Sequence, residues 1–334
     1  MASDPEVPVK ALRRLGWLAL GLLLGGGGVA AAFYFVRPGL PQYAEHRYAQ
    51  AAAPGALTAT WFGVTAVLLS DGAHALFIDP FFTRPEGFFN LVRNREIAPD
   101  EALIASWLRR AGVTKLDAVL VSHSHYDHAM DAGVVARLTG ARLLGSASTA
   151  NIGRGAGLPE AQLQVVASGD AVELGSFRVT FVESKHAGAT GGAPTGDIVG
   201  PLAPPARYLD YRQGGTYSIL VEHAQGRVLH HGSAGFVPGV LKLRRADVVF
   251  LGIALLPDLP THLAEVVDAV GARRIVPVHW DDFTRSLDRP LLPFPLVVDL
   301  DGFFDAVGRL RPDLQVQTLE AGAPVALFPQ GAAP

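Results

Sequence analysis

A short segment of this chain concentrates residues that bind metals. It reads His123-Ser124-His125-Tyr126-Asp127-His128, with three imidazoles and one carboxylate, and it follows the largely apolar run Leu116 to Val121. The run predicts a short buried strand, Asp117 to Val121, and the spacing of the apolar residues from His128 to Leu138 predicts a helix. The cluster is therefore expected in a strand-to-helix turn.

The residue types in this turn point to metal chemistry. Alternate side chains of an extended backbone point the same way, so His123, His125 and Asp127 converge, and His128 enters from the first helical turn. Zinc, iron and manganese all accept neutral imidazole and carboxylate as ligands. The alternative is a solvated turn whose histidines merely cap the helix, which this density of ligand types disfavours.

Two further histidines follow apolar strands. His186 comes after Val179 to Val182, and His279 comes after Ile275 to Val278. Sites are usually assembled at the ends of strands, where loops carry the functional residues. Either histidine alone would be more typical of a surface or core position. Beside the 123–128 segment, both become candidate ligands.

With these residues the chain resembles the metallo-β-lactamase superfamily, in particular the branch that contains L-ascorbate-6-phosphate lactonase and N-acyl-phosphatidylethanolamine phospholipase D. The resemblance extends from about Leu57 to just beyond His279. The segments that carry it are Trp61-Phe62-Gly63, Asp79-Pro80, the 123–128 segment, His186 and Pro277-Val278-His279-Trp280.

The resemblance implies an αββα sandwich, an α/β fold in which two mixed sheets lie face to face with helices outside. It also implies two divalent metal ions, with zinc expected and iron or manganese as alternatives. The implied ligands form two sets: His123, His125 and His186 for the first metal, and Asp127, His128 and His279 for the second.

One position departs from the pattern of this branch. Where the branch usually has an aspartate that bridges both metals, this chain has Ser233, within His231-Gly232-Ser233-Ala234-Gly235. A hydroxyl brings no charge, so the second metal is expected to bind more weakly. One subclass of dizinc β-lactamases also has serine there, so two metals remain the expectation. Ser233, His230 and His231 are candidate accessory residues of the site, and the alternative for the two histidines is a pair at a strand end near the pocket rim.

Such a centre predicts hydrolysis. Two adjacent cations lower the pKa of a shared water and hold hydroxide at neutral pH, so no nucleophilic side chain is needed. Asp127 is the predicted catalytic residue, because it can bind the second metal and orient that hydroxide. The predicted bond is ester-like or a phosphodiester, cleaved by a lactonase-like or phospholipase-like enzyme. A β-lactamase ranks lower, and a non-catalytic metal-binding scaffold in a membrane complex is the alternative.

Two loops are candidates for substrate contacts. Phe88 lies among aromatic residues in the first loop, and Arg207, Tyr208 and Tyr211 lie in a long segment rich in glycine and proline, 187–215. An apolar wall with a few arginines would suit an acyl chain beside an anionic group, as in a lipid. Ordinary packing of aromatic side chains under a loop is the alternative.

The N-terminal segment Leu15 to Val36 is uncharged and apolar over about the 20 residues that cross a bilayer. Lys10, Arg13 and Arg14 precede it, so the positive-inside rule leaves the N-terminus in the cytoplasm. The predicted location is the cell membrane, with a single pass and a periplasmic catalytic domain. A signal peptide cleaved near Ala30 to Ala32 is the alternative.

Composition bounds the remaining possibilities. The chain has 334 residues, of which 49% are hydrophobic, enough for a large core. It has no cysteine, which excludes disulfides, thiolate ligands and a cysteine nucleophile. With a net charge of −3, a lipid or small-molecule substrate is expected rather than nucleic acid. The predicted organisation is a cytoplasmic flank at 1–14, a transmembrane signal-anchor at 15–36, a linker at 37–56 and a metallo-hydrolase domain at 57–330.

Overall fold

A computed structural model describes residues 9–35, 37, 40–85, 87–188 and 193–328. The chain divides into two compact units, Met1–Pro38 and Gly39–Pro334. The first unit contains helix α1, Val9–Phe35. None of the described helices combines the length and the apolar character needed to cross a membrane, so the predicted transmembrane anchor is not supported. Residues 1–8 of the predicted flank and Val36 lie outside the described residues.

The second unit contains two seven-stranded sheets. The first four strands of sheet one, in spatial order, pair antiparallel, and the last four pair parallel. In spatial order its strands are β16 (Val325–Ala326), β1 (Thr58–Trp61), β2 (Val67–Ser70), β3 (Ala75–Ile78), β5 (Ala118–Leu120), β6 (Arg142–Gly145) and β7 (Leu163–Val165).

Sheet two has the same mixture of pairings. Its first four strands in spatial order pair parallel, and its last four pair antiparallel. A separate antiparallel pair joins β4 (Glu96–Ile97) to β10 (Ala206–Arg207). In spatial order the strands of sheet two are β15 (Gln315–Val316), β14 (Arg274–Val278), β13 (Val248–Gly252), β12 (Gly226–His231), β11 (Tyr217–His223), β9 (Phe177–Glu183) and β8 (Ala171–Leu174).

Short helices connect the strands of this second unit. A π-helical turn, Leu263–Asp268, continues directly from the helix Leu259–His262. The helices are α2 (Phe88–Val92), α3 (Glu101–Arg110), α4 (Tyr126–Ala129), α5 (Ala132–Thr139), α6 (Ala147–Gly155), α7 (Leu259–His262) and α8 (Leu300–Leu310).

The alternation of side chains along β3 shows how the layers pack. Leu76 and Ile78 belong to the core cluster that both sheets share, which includes Phe250 of β13. Phe77 points the other way, into a second cluster with Ile104 of α3 and residues of α5. Because successive strand residues face opposite sides of a sheet, sheet one is buried on both faces. The predicted αββα arrangement with mixed sheets is confirmed.

Local predictions succeeded where periodicity was strong. Apolar spacing also predicts a helix over Glu101–Arg110 and a strand over Arg274–Val278, and the structure has both with these bounds. The continuous helix predicted from His128 to Leu138 is wrong, because α4 and α5 are separate. Asp131 lies between them, and its Oδ2 accepts the backbone N–H groups of residues 82 and 83 at 2.7 Å each. This carboxylate ties the junction to the loop after β3 instead of facing solvent.

Candidate metal centre

The structure brings the six predicted ligands together beyond the carboxyl ends of β5, β9 and β14. They form two groups, and within each group the ligand atoms lie within 4.8 Å of one another. All but His186 are buried. The groups match the two predicted sets: His123, His125 and His186 in one, and Asp127, His128 and His279 in the other.

The first group presents imidazole nitrogens from two loops. Nε2 of His123 lies 3.2 Å from Nδ1 of His125. The ring of His186 lies 4.8 and 4.7 Å from the rings of His123 and His125, measured between centroids. Nδ1 of His186 donates to the carbonyl oxygen of Ala187 at 2.7 Å, which leaves a lone pair on Nε2 for a metal.

The second group adds a carboxylate. Nε2 of His128 and Nε2 of His279 lie 3.2 Å apart. Oδ2 of Asp127 lies 3.4 Å from Nε2 of His279 and 3.6 Å from Nε2 of His128. Two imidazole nitrogens and a carboxylate oxygen that converge in a buried space match the nitrogen and oxygen ligand set of a divalent cation. The residues therefore fit the implied metals.

Asp79 orients His128 from behind, a role that sequence reasoning missed. Oδ2 of Asp79 lies 2.9 Å from Nδ1 of His128, and Oγ1 of Thr65 lies 2.8 Å from the same nitrogen. Ser122 donates to Asp79 through its backbone N–H at 2.7 Å and through its hydroxyl at 2.6 Å. Such partners hold the ring of a ligand and raise its basicity. The available signal was the Asp79-Pro80 pair directly after the apolar run Ala75 to Ile78.

Burial and charge set the protonation of the ligands. Burial holds the pKa of His123 well below its ordinary value, and the neighbouring imidazoles lower it further. Burial also lowers the pKa of His186 to about 4. Burial alone would raise the pKa of Asp127, but His128 nearby holds it below its ordinary value. The two histidines are therefore neutral and Asp127 is ionised at neutral pH, which are the forms that bind metals.

His279 is held in place by the turn that follows β1. Its backbone has φ +58°, and its N–H donates to the carbonyl oxygen of Val64 at 2.7 Å. The N–H of Val64 in turn donates to Oδ1 of Asp281 at 2.6 Å. Arg84 forms an ion pair with Asp281 at 2.7 Å, with both side chains fully buried. The sequence offered no signal for this network.

Ser233, predicted from the resemblance to stand in place of a bridging aspartate, contacts the first ligand group through Ala187. Its Oγ accepts the N–H of Ala187 at 2.9 Å, and the carbonyl of Ala187 accepts from His186. Neither His230 nor His231 belongs to the two ligand groups that the described residues form. Nε2 of His230 donates to the carbonyl of residue 65 at 2.8 Å. Both histidines are fully buried, so the prediction that they lie at the pocket rim is wrong.

A cavity of about 290 Å³ opens onto the ligands and is called here the metal-centre cavity. Ser233 and four of the ligands line it, together with mostly apolar and aromatic side chains. No arginine or lysine is among the described residues that line it. Its apolar and aromatic lining residues include Tyr208, Leu209, Leu255, Phe283 and Phe294.

Of the four predicted substrate contacts, Tyr208 lines this cavity. Arg207 lines a neighbouring cavity instead. Tyr211 is only 1% exposed and packs in the cluster beside sheet one, so it is a core residue rather than a substrate contact. Phe88 begins α2, but its side chain lies outside the described residues.

The αββα sandwich and a centre of histidine and aspartate at its strand ends define the class of metallo-hydrolases. Residues 74–280 match the family described as the beta-lactamase superfamily domain. The chain therefore belongs to the metallo-β-lactamase superfamily, and it is a metal-dependent hydrolase of that superfamily.

Relatives agree with this assignment. A metal-dependent hydrolase from Myxococcus xanthus is 27% identical over 315 residues, which cover 92% of this chain and 96% of the relative. Another from Pyrobaculum islandicum is 25% identical over 228 residues, covering 67% and 84%. The crystal structure of an isothiocyanate hydrolase from Delia radicum gut bacteria superimposes with a TM-score of 0.51 at 14% identity. The match covers 82% of this chain and all of that one, and at this identity it shows only that the two share a fold. The lactonase and phospholipase branch stays a prediction.

Proposed function

We propose that the protein hydrolyses an ester or lactone whose acyl part is apolar, with one divalent metal ion in each ligand group. The observation that carries the proposal is the position of Asp127 and His279, which belong to a ligand group and also line the metal-centre cavity. A substrate in that cavity would lie against the metal ligands. Zinc suits both groups, with iron or manganese as alternatives.

Bound divalent metals would supply a nucleophile from water at neutral pH and polarise the scissile carbonyl. His123, His125 and His186 would hold the first ion, while the other group would hold the second. Asp127 is ionised and faces the cavity, so its carboxylate can accept a hydrogen bond from the attacking water and orient it. No separate general base is needed.

The rest of the cavity favours an apolar acyl group. Phe283, Phe294 and Leu255 supply apolar wall area, which shields the reacting carbonyl from bulk water. The described lining adds no arginine or lysine to the two metal ions, so the metals alone would have to bind the charged oxygens of a phosphodiester. An ester or lactone therefore fits this wall better than a phosphodiester does.

The test combines metal content with a substrate panel. The full chain, purified without chelator, is measured by elemental mass spectrometry and assayed with aryl esters and lactones of graded acyl length, with an aryl phosphodiester and a chromogenic β-lactam for comparison. We expect about two transition-metal ions per chain and turnover that rises with acyl length. In the Asp127→Ala variant turnover should disappear while the circular dichroism spectrum stays unchanged.

The outcomes separate this proposal from its competitors. Full metal occupancy without turnover of any substrate in the panel would favour the non-catalytic scaffold. Turnover of the phosphodiester alone would favour a phosphodiesterase, and turnover confined to β-lactams would favour a β-lactamase. One metal ion after supplementation, with turnover intact, would point to a mononuclear enzyme in which Ser233 leaves the second group too weak.

Membrane attachment and a periplasmic location remain predictions from the sequence of residues 15–36. Fractionation of cells that express the full chain tests both. Recovery of the chain in the membrane fraction, with the catalytic domain accessible to protease from the periplasmic side, would support them, and recovery in the cytoplasmic fraction would contradict them.

A further inference from the structure

A second cavity with the opposite character lies close to the metal-centre cavity. It measures about 620 Å³, and we name it the arginine cavity. Three arginines and one glutamate line it, although the whole chain has a net charge of −3. Guanidinium groups recognise carboxylates and phosphates through planar pairs of hydrogen bonds. The complete lining is Arg93, Asn94, Arg95, Glu96 and Arg207.

The fold, not a run of basic residues, brings these arginines together. Strand β10 pairs with β4, which places Arg207 opposite Glu96. The N–H of Leu209 donates to Oδ1 of Asn94 at 2.9 Å, and the other two arginines flank Asn94 in the sequence. Two segments more than 100 residues apart are thus joined by backbone and side-chain hydrogen bonds at the cavity.

The guanidinium groups of the arginine cavity are available to an external anion. Within the described residues, none of the three has an ion-pair partner. Several other exposed arginines of the chain do have one, since Arg110, Arg137 and Arg178 contact carboxylates at 2.8, 2.7 and 2.6 Å. The three unpaired groups therefore retain donors that a carboxylate or phosphate can use.

Residues 207–209 contribute to the walls of both cavities. Arg207 lines the arginine cavity, whereas Tyr208 and Leu209 line the metal-centre cavity. Consecutive Cα atoms are about 3.8 Å apart, so the backbones of Arg207 and Leu209 lie within roughly 8 Å of each other. A molecule whose apolar part and charged group are separated by about that distance is therefore long enough to extend from one cavity to the other.

We propose that the substrate is an anionic amphiphile. Its apolar part, with the scissile bond, would occupy the metal-centre cavity, and a carboxylate or phosphate remote from that bond would bind Arg93, Arg95 and Arg207. The reaction site in this inference rests on the proposed ester or lactone hydrolysis. Binding of the anion does not require turnover, so the two proposals can fail separately.

The test measures binding to the full chain after the metals have been removed, so that metal ions cannot hold the anion. Isothermal titration calorimetry compares octyl phosphate, octanoate, 1-octanol and inorganic phosphate. If the metal-free chain loses its circular dichroism spectrum, the same titrations are made on zinc-loaded protein, in which the variants share an identical metal centre. The variant under test is Arg93→Gln, Arg95→Gln and Arg207→Gln combined.

A matched control removes the same charge elsewhere on the surface. We expect wild type and control to bind the better of the two anionic amphiphiles about tenfold more tightly than either 1-octanol or inorganic phosphate. The test variant should lose that preference while its affinity for 1-octanol is unchanged. The control combines substitutions of three exposed arginines that do not line the arginine cavity: Arg109→Gln, Arg245→Gln and Arg309→Gln.

Three results would overturn the inference. Equal affinity of the wild type for charged and uncharged octyl compounds would show that no anion site is used. A preference retained in the test variant would place the anion elsewhere. Inorganic phosphate bound as tightly as octyl phosphate would identify a site for free phosphate without an apolar subsite. Absence of ester or lactone turnover would count against the proposed function and leave these binding results unaffected.

Discussion

Nε2 of His128 lies 3.2 Å from Nε2 of His279, although 151 residues separate them in the sequence. His128 follows a strand of sheet one and His279 follows a strand of sheet two. The second ligand group therefore exists only when the two sheets pack face to face. Metal binding at this group should report on the integrity of the whole sandwich, because each sheet supplies part of it.

Removing the charge of Asp79 should weaken the second metal. In Asp79→Asn the side chain keeps its shape but no longer stabilises the ring of His128 as a carboxylate does, so zinc affinity at this group should fall about 10- to 100-fold. Zinc titration against a chromophoric chelator measures the change. Asp117→Asn is the control. Oδ1 of Asp117 lies 3.1 Å from Nδ1 of His74, and neither residue belongs to a ligand group. Equal zinc affinity in wild type and Asp79→Asn would contradict the assigned role.

Restoring a carboxylate at position 233 should strengthen metal binding. In Ser233→Asp the new carboxylate would lie in the cavity that members of both ligand groups line, so the more weakly held metal should bind roughly tenfold more tightly. The Ser233→Ala variant separates charge from hydrogen bonding, because it leaves the N–H of Ala187 without its acceptor and should loosen the first group instead. Competition titrations with zinc distinguish the two. A Ser233→Asp protein that loses metal would show that the serine hydroxyl is needed for packing.

Breaking the Arg84 pair should be costly. Arg84→Met removes the cation that pairs with the fully buried carboxylate of Asp281, and we expect the free energy of unfolding to fall by about 3–5 kcal/mol. Urea unfolding measures it. The matched control is Arg110→Met. Arg110 forms the same kind of ion pair with Asp288 at 2.8 Å, but these two side chains are 54% and 52% exposed. That change should cost less than about 1 kcal/mol, and similar losses in both variants would refute the argument from burial.

Asp131 should make stability depend on pH. Burial raises the pKa of Asp131 to about 7. This effect exceeds the lowering of the pKa by the two backbone N–H groups that donate to the carboxylate. The native state therefore holds a proton that the unfolded chain releases near pH 4, so the contribution of Asp131 to stability is full below about pH 4 and is lost as the pH rises through about 7. In Asp131→Asn this loss is absent.

Unfolding in urea at two pH values tests this. From about pH 5 to pH 8, the free energy of unfolding of Asp131→Asn should rise relative to wild type by roughly 2 kcal/mol. Asp288→Asn serves as the control, because its side chain is 52% exposed and the substitution should leave the pH profile unchanged. Parallel profiles for wild type and Asp131→Asn would mean that the native state does not hold the proton.

Much of the site was predictable because its ligands stand directly after strands with strong apolar character. His186 and His279 were found by that rule, and the 123–128 segment by its density of ligand types. The break between α4 and α5 was not predictable, because the apolar spacing continues through Asp131, whose partners lie 48 and 49 residues away. The interior position of Tyr211 was missed for a related reason, since an aromatic residue in a loop can face either a cavity or the core.

The sequence by itself determined the ligand types and the absence of thiol chemistry, because residue identity carries that information, and the two-sheet fold class was implied by its resemblance to the metallo-β-lactamase superfamily. Tertiary structure decided which groups support the ligands. Asp79 reaches His128 across 49 positions and Arg84 reaches Asp281 across 197. Only the packing of two sheets, each with its own register, brings such distant side chains within hydrogen-bond distance, and neither sheet can be positioned from local periodicity.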